Sequence, residues 1–275
     1  MKIIATHHPE NLVFYRTVIT LNTVNPKTFI WLSDYKSLWD MFDEVSPDIF
    51  ICTTQDFTSS LISALQEKKT DLILFGDRYP PTIQPIKLCT EKPPTNNVPY
   101  TLVGPAANIA QYNSGVFSEK DKSDVLYLSN TATPPEILQF LKEISKSDFS
   151  LKVCGNPLPL PQYIGQVGVK ETSNLIASSS CILDYNQNSL WDAGFHKRNC
   201  ISNPHEIVTV ENFIKDLSKI ISTNSQNSNE AYIAAKNNTY YHIIRNVFSG
   251  IDKDIRTSAK EQCEKIISHH EQVIL

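Results

Sequence analysis

A chain of 275 residues with 41% apolar content is long enough to bury a substantial core, which excludes disorder as its main state. Its formal charge of −4 supplies no broad cationic surface, so nucleic acid is not an expected partner. The opening "MKIIATHHPE" has an apolar run too short for a signal-peptide core or a membrane span, which makes a cytoplasmic protein without a span the expectation.

In chain order, short β-branched runs at 2–6, 28–32, 48–54, 71–77 and 99–104 predict strands. Between them, "NLVFYRTVITL" and "FTSSLISALQEK" repeat apolar residues three and four apart, as helices do. Strands alternating with helices imply a parallel sheet covered on both faces. The loop "THHPEN" then falls at the carboxyl edge of the sheet, where open α/β sheets bind ligands. His8, or its neighbour His7, is a candidate general base there, because imidazole titrates near neutral pH; a solvated or capping pair fits the same residues. Asp56, after the third strand, is a candidate for the same part, and Asp77, after the fourth, is a weaker one.

The charged polar stretch 113–124 marks the expected boundary, giving units of residues 1–115 and 116–275. Beyond it the alternation resumes with strand "DVLYLSN" and helix "TPPEILQFLKEI", in which Thr133 is expected to cap, Pro134 to occupy the first turn and Glu136 to reach back. Strand "LKVCGN", a proline-rich loop, helix "KETSNLIASSS", strand "CILDYN", helix "SLWDAGFHK", strand "RNCISN" and helix "VENFIKDLSKII" follow. A polar loop at 222–230 leads to two terminal helices, a candidate homo-oligomer interface. The fold class is therefore α/β: two Rossmann-like, doubly wound parallel sheets facing a cleft, with C-terminal helices. Cys52, Cys154, Cys181 and Cys200 each sit in or beside apolar runs without CxxC spacing and read as reduced core thiols.

Candidate ligand residues cluster at the strand ends of the second unit. Asn130 and Thr131 follow its first strand, where amides and hydroxyls can meet a diphosphate. Gly155 ends the next strand and permits close backbone approach, and Tyr163 lies in the stiff proline-rich loop, placed to shape a base pocket. Tyr185, Asn186, Asn188, Ser189 and Asp192 surround the amino end of the following helix. Ser189 and Asp192 also have the S-x-x-D spacing of a capping box, which needs no ligand. Lys197 and Arg198, at the helix's carboxyl end, read as offsets to its dipole rather than as phosphate clamps.

Three stretches carry a family likeness: "LKVCGN" with the loop to "YIGQV", "LIASSSCILDYNQNSLWDAGFHKRNCISN", and "NNTYYHIIRNVF". Over about residues 124 to 250 the chain resembles the CgeB-like family of GT-B glycosyltransferases. The resemblance implies a nucleotide-sugar donor held by the second unit, an acceptor against the first, metal-independent transfer and no cofactor. Asp192 stands where the family usually has Glu, Lys197 stands near the place of a helix-ending glycine, and Asn238 replaces a His. These departures fit a second reading, a protein that keeps the fold without transfer and acts as a binding or assembly component. No GxxxxGK[ST], G-x-S-x-G or H-E-x-x-H occurs, nor a G-x-G-x-x-G after a strand. Asp252 and Asp254 have D-x-D spacing but fall between the terminal helices.

Overall fold

The computed structural model describes the chain apart from residues 33–35, 95–97, 113–114, 130–131, 185–189, 203–213, 216, 220–226 and 275. In chain order the elements are β1 (Ile3–Thr6), α1 (Leu12–Val24), β2 (Thr28–Trp31), α2 (Leu38–Val45), β3 (Ile49–Thr53), a 3-10 turn (Thr54–Asp56), α3 (Ser59–Lys68), β4 (Asp71–Phe75), β5 (Lys87–Thr90) and β6 (Tyr100–Leu102). Then come α4 (Ile109–Tyr112), β7 (Ser123–Ser129), α5 (Pro135–Ile144), β8 (Leu151–Gly155), α6 (Val169–Ser178), β9 (Ser179–Asp184), α7 (Leu190–Phe195) and β10 (Asn199–Ser202). Three further helices are α8 (Asn227–Asn237), α9 (Tyr240–Val247) and α10 (Lys253–Ile274).

Two compact units result, Met1–Gly104 with Tyr240–Lys265, and Pro105–Thr239 with Ile266–Leu275. They differ from a division at 115/116 in two places, each with a packing cause. Residues from Pro105 onward are tied to the second unit, because Ala107 N–H donates to Asn238 O at 2.8 Å and Asn238 Nδ2 donates to Pro105 O at 3.2 Å. The apolar face of α9 buries Tyr240, Tyr241 and Ile244 in the first unit. There Tyr241 OH lies 3.2 Å from Thr23 Oγ1 of α1. That face, expected to be available for self-association, is used inside the unit.

The first sheet runs β2-β1-β3-β4-β5-β6, every pairing parallel. One face sets Ile4, Phe50, Cys52, Leu72, Leu74 and Leu88 against Leu38 and Phe42 of α2 and Leu61 and Leu65 of α3. The alternate residues Ile3, Ala5, Ile49, Ile51 and Ile73 are equally buried, which is why these strands read as continuous apolar runs. Phe14 of α1 packs edge-on to Phe75 at 5.1 Å on that second face. Strand β5 was not expected from the sequence. It carries the buried Lys87, whose Nζ donates to Ser249 O at 2.8 Å and Asn246 O at 3.4 Å. A lysine thus satisfies carbonyls at the carboxyl end of α9.

The second sheet runs β10-β9-β7-β8, again wholly parallel. Val125, Tyr127, Val153, Cys181 and Leu183 face Ile137, Leu141 and Ile144 of α5, while Leu126, Cys154 and Ile182 face Leu175 and Ile176 of α6 and Ala193 of α7. Helix α5 starts one residue later than expected. Pro135 drives Pro134 out of the helical region (φ −59°, ψ 150°), so Pro134 occupies the cap position with no side-chain bond. Thr133, freed from capping, lies 3.0 Å from Ser129 Oγ and 3.2 Å from Tyr127 OH.

All six cysteines are free, five of them buried and Cys200 partly so. Burial pushes the Cys154 thiol up to about 11 and Cys181 to about 12, which leaves them unreactive. Among the described residues no helix is long and apolar enough to cross a membrane.

Candidate functional site

In each sheet the strand order reverses between the first and third strands of the unit, beside β1 and β3 and again beside β7 and β9. Open parallel sheets bind ligands outside the carboxyl ends of their strands at such a point. In the first unit the loop after β1 and the turn after β3 therefore become neighbours. His8 Nε2 lies 2.7 Å from Asp56 Oδ1, although the two residues are 48 positions apart.

The turn fixes how Asp56 is presented. Thr53 and Asp56 form a capping box, in which Asp56 Oδ2 accepts Thr53 N–H at 2.7 Å. The same oxygen accepts Thr6 Oγ1 at 2.9 Å and Thr53 Oγ1 at 3.1 Å. One carboxylate oxygen thus serves the backbone, and the other is left for the imidazole. On the opposite side of the ring, His8 Nδ1 lies 2.7 Å from Oε1 of Glu10. The His8 ring meets Phe14 edge-on at 5.8 Å, which holds its plane. His7 instead packs edge-on to Tyr15 at 5.6 Å, so of the two candidates only His8 joins the carboxylates.

Burial pushes the His8 pKa down, but the hydrogen bonds and charges of Asp56 and Glu10 outweigh it, and the net shift is upward from 6.5. Glu10 is lowered, first by a bond to its own backbone N–H and then by His8. The side chains of His8 and Asp56 are only 17% and 10% exposed. A shielded imidazole with one nitrogen pinned by a partly buried carboxylate is an oriented acid–base group.

A cavity of about 400 Å³ opens at the carboxyl ends of β3, β4 and β5, lined in part by residues near the pair in sequence but not by His8 or Asp56 themselves. Its wall is mostly hydrogen-bonding: Asn11, Thr53, Thr54, Gln55, Asp77, Thr90, Glu91 and Lys92, with Val13, Phe75 and Val103 as the apolar part. Thr53 belongs both to this wall and to the cap that holds Asp56. Gly76 has φ +145°, and a Cβ there would stand 2.3 Å from Thr54 Cγ2, so glycine lets the turn after β4 close against the wall. Asp77 lines this cavity and takes no place beside His8. Glu10, Thr6 and the cavity wall apart from Asp77 were not singled out as individual residues in the sequence. The T-x-x-D spacing at 53–56 was the signal for the turn that holds Asp56.

In the second unit β7 and β9 flank the switch point. Asn130, Thr131, Tyr185, Asn186, Asn188 and Ser189 lie outside the described residues. Gly155 and Tyr163 do come together, since Tyr163 OH donates to Gly155 O at 2.8 Å. Gly155 has φ +105°, and a Cβ on it would meet Ser129 O at 2.4 Å. Gly155→Ala is accordingly expected to destabilise the second unit by about 1–3 kcal/mol, read as a lower urea midpoint.

Asp192 is 3% exposed, and its Oδ1 accepts Asn108 N–H at 2.7 Å, fastening the start of α4 to α7. Lys197 follows α7 with φ +56°, the left-handed conformation that a glycine adopts at least cost. Arg198 donates to Ala177 O at the end of α6, so its charge offsets a helix terminus, that of α6 rather than α7. Asp252 of the D-x-D spacing accepts Ile255 N–H at 2.8 Å in the first turn of α10.

No protein-family model and no curated protein sequence matches the chain. Solved structures do. The chain is similar to HepE from Anabaena, crystallised with UDP and glucose, at TM-score 0.56 and 10% identity over 97% of this chain and 99% of that one. It is similar to a protein assigned as a UDP-N-acetylglucosamine 2-epimerase from Listeria monocytogenes, at TM-score 0.53 and 14% identity over 99% and 97%. A third is the lipopolysaccharide outer core galactosyltransferase WaaB, at TM-score 0.50 and 12% identity over 91% and 100%. At these identities the likeness shows the fold, a GT-B-like pair of parallel α/β units.

Proposed function

We propose that the protein is a GT-B-like glycosyltransferase in which His8, oriented by Asp56, acts as general base on an acceptor hydroxyl. The observation that carries this reading is the hydrogen-bonded His8–Asp56 pair at the switch point of the first sheet, joined through Thr53 to the wall of a cavity rich in hydrogen-bonding side chains. An acceptor hydroxyl gives its proton to His8 as its oxygen bonds the anomeric carbon, and the bond from that carbon to the diphosphate breaks with the electron pair leaving on phosphate oxygen. Asp56 stabilises the imidazolium so formed. The hydroxyl-rich character of Thr53, Thr54, Gln55 and Thr90 suits a polar acceptor.

The donor is assigned to the second unit, at the segments carrying Asn130, Thr131, Tyr185, Asn186, Asn188 and Ser189, with Gly155 at the end of β8 and Tyr163 hydrogen-bonded to it. Support comes from the CgeB-like pattern of that half and from the fold shared with HepE, whose structure holds UDP and glucose. Transfer in this reading needs no metal, because helix amino ends and side chains stabilise the departing diphosphate.

The fold is also shared with a protein assigned as an epimerase, so the test must separate binding from transfer. Thermal melting against UDP-, GDP- and CMP-sugars is expected to give an upward shift with one nucleotide series. A ligand at a hundred times its Kd stabilises by about 2.7 kcal/mol, which is several degrees for a chain of this size. With the responding donor, nucleoside diphosphate release should then rise on adding a hydroxylated acceptor. A flat melting response across the panel at millimolar ligand favours the binding or assembly reading, and release indifferent to every acceptor points away from transfer.

A further inference from the structure

We infer that Glu10 is a displaceable gate on His8: in the resting protein its carboxylate covers Nδ1, and the acceptor hydroxyl must take its place before the ring can accept a proton. This rests on the reading of His8 as the general base.

Both ring nitrogens of His8 stand 2.7 Å from a carboxylate oxygen, Nε2 from Asp56 and Nδ1 from Glu10. A carboxylate accepts and cannot donate, so each nitrogen must carry its proton to make its bond, and the ring held between them is an imidazolium without a lone pair. A base therefore emerges only when one carboxylate withdraws and the proton on the nitrogen it covered passes to solvent water. The two are not equivalent. Asp56 also holds Thr53 N–H and the hydroxyls of Thr6 and Thr53, and its withdrawal would strand three donors in a shielded turn. Glu10 has a side chain 61% exposed and, among the described residues, is otherwise held by its own backbone N–H and the charge of His7, so water replaces His8 as soon as the carboxylate swings out.

Nδ1 is thus the nitrogen that opens, and Nε2 the one that stays anchored. The place also fits: Asn11, next in sequence to Glu10, lines the cavity, and its N–H donates to His8 O at 3.1 Å. Among the described residues, three other groups interact with the ring or with its two carboxylates. They are His7 on the same loop, Phe14 on α1, and the buried Cys52 thiol on β3, which interacts with Asp56.

The test follows the ring nitrogens of His8 by NMR in the full chain with labelled histidine, assigned by loss of the signal in His8→Gln. In Glu10→Gln the proton affinity of His8 is expected to fall about threefold to tenfold, with a neutral tautomer protonated at Nε2 already populated near pH 7. In the transfer assay the low-pH limb should move toward acid by the same factor. An unchanged His8 titration in Glu10→Gln overturns the gate, as does a rate that falls at every pH as far as in Asp56→Asn with no displacement of the limb. The titration needs no substrate, so absence of transfer with every donor would end the glycosyltransferase reading while leaving the NMR result to decide whether Glu10 covers the ring.

Discussion

Asp56→Asn is expected to lower the transfer rate by about 10²- to 10⁴-fold, the range that general-base catalysis contributes, while the first unit stays folded. The asymmetry of the two carboxylate oxygens makes the effect large for so small a change. Oδ2 collects Thr53 N–H and two threonine hydroxyls, all three donors, so the amide that replaces the carboxylate must put its oxygen there to keep them satisfied. Its NH₂ then faces His8 Nε2. That nitrogen has to accept, the ring proton is forced onto Nδ1, and the nitrogen aimed outward has no lone pair. Glu10 remains bonded to the Nδ1–H. The variant also loses the charge that offsets the developing imidazolium. Steady-state kcat/KM together with a melting curve checks this. A variant within tenfold of the parent would mean that Asp56 is only a turn cap. Asp56→Ala should differ by also lowering stability, because it strands the Thr53 N–H.

The same pair shows how far the sequence is readable. His8 and Asp56 were each marked out by position, since a residue just past a parallel strand sits at the ligand-binding edge whatever the neighbours are. Their contact could not be read, because it depends on β3 lying beside β1 rather than beside β2, and strand order is a property of crossovers. Most strands were legible because both faces are covered and the apolar run is unbroken, as in β1 and β3. Strand β5 escaped because Lys87 interrupts a four-residue run, and the reason for that lysine is a helix end some 160 residues further on. Asp192 shows the converse. An acidic residue in the first turn of a helix reads alike as cap, ligand contact or buried strut, and its bond to Asn108, 84 positions away, gives no sign of itself in the local pattern. Glu10 gave no signal at all, since a glutamate two residues from a histidine in a loop belongs to no periodic pattern.

Mild acid is expected to undo the second unit through a different pair of histidines. His196 and His270 are both buried, with ring centroids 5.3 Å apart, and the Phe195 ring lies 4.1 Å from that of His270. His196 Nε2 donates to Tyr112 O at 2.7 Å, whereas neither nitrogen of His270 has a hydrogen-bond partner among the described residues. The charged groups nearby are Lys197, Arg198, His269 and Glu271, and Glu271 is held by Lys236 and Tyr232. Burial, reinforced by the neighbouring His270, lowers His196 to about 3. Burial and then Lys197 lower His270 to about 4, against the opposing pull of Glu271.

Both folded-state values lie below the unfolded 6.5, so beneath that pH the unfolded chain binds protons that the folded chain refuses. The stability is fully present above about 6.5 and is lost as the pH falls toward the folded values, by about 1.4 kcal/mol per pH unit for each ring. Two units of acidification therefore remove roughly 5 kcal/mol, as much as the whole stability of many domains. His8 has the opposite sign, its raised value adding stability below 6.5, but it belongs to the first unit. His270→Phe keeps an aromatic ring against Phe195 and has nothing to protonate. Urea midpoints of parent and variant should nearly coincide at pH 7.5, with the variant ahead by about 2 kcal/mol at pH 5. Parallel curves across that range would show that His270 is not the group through which acid acts.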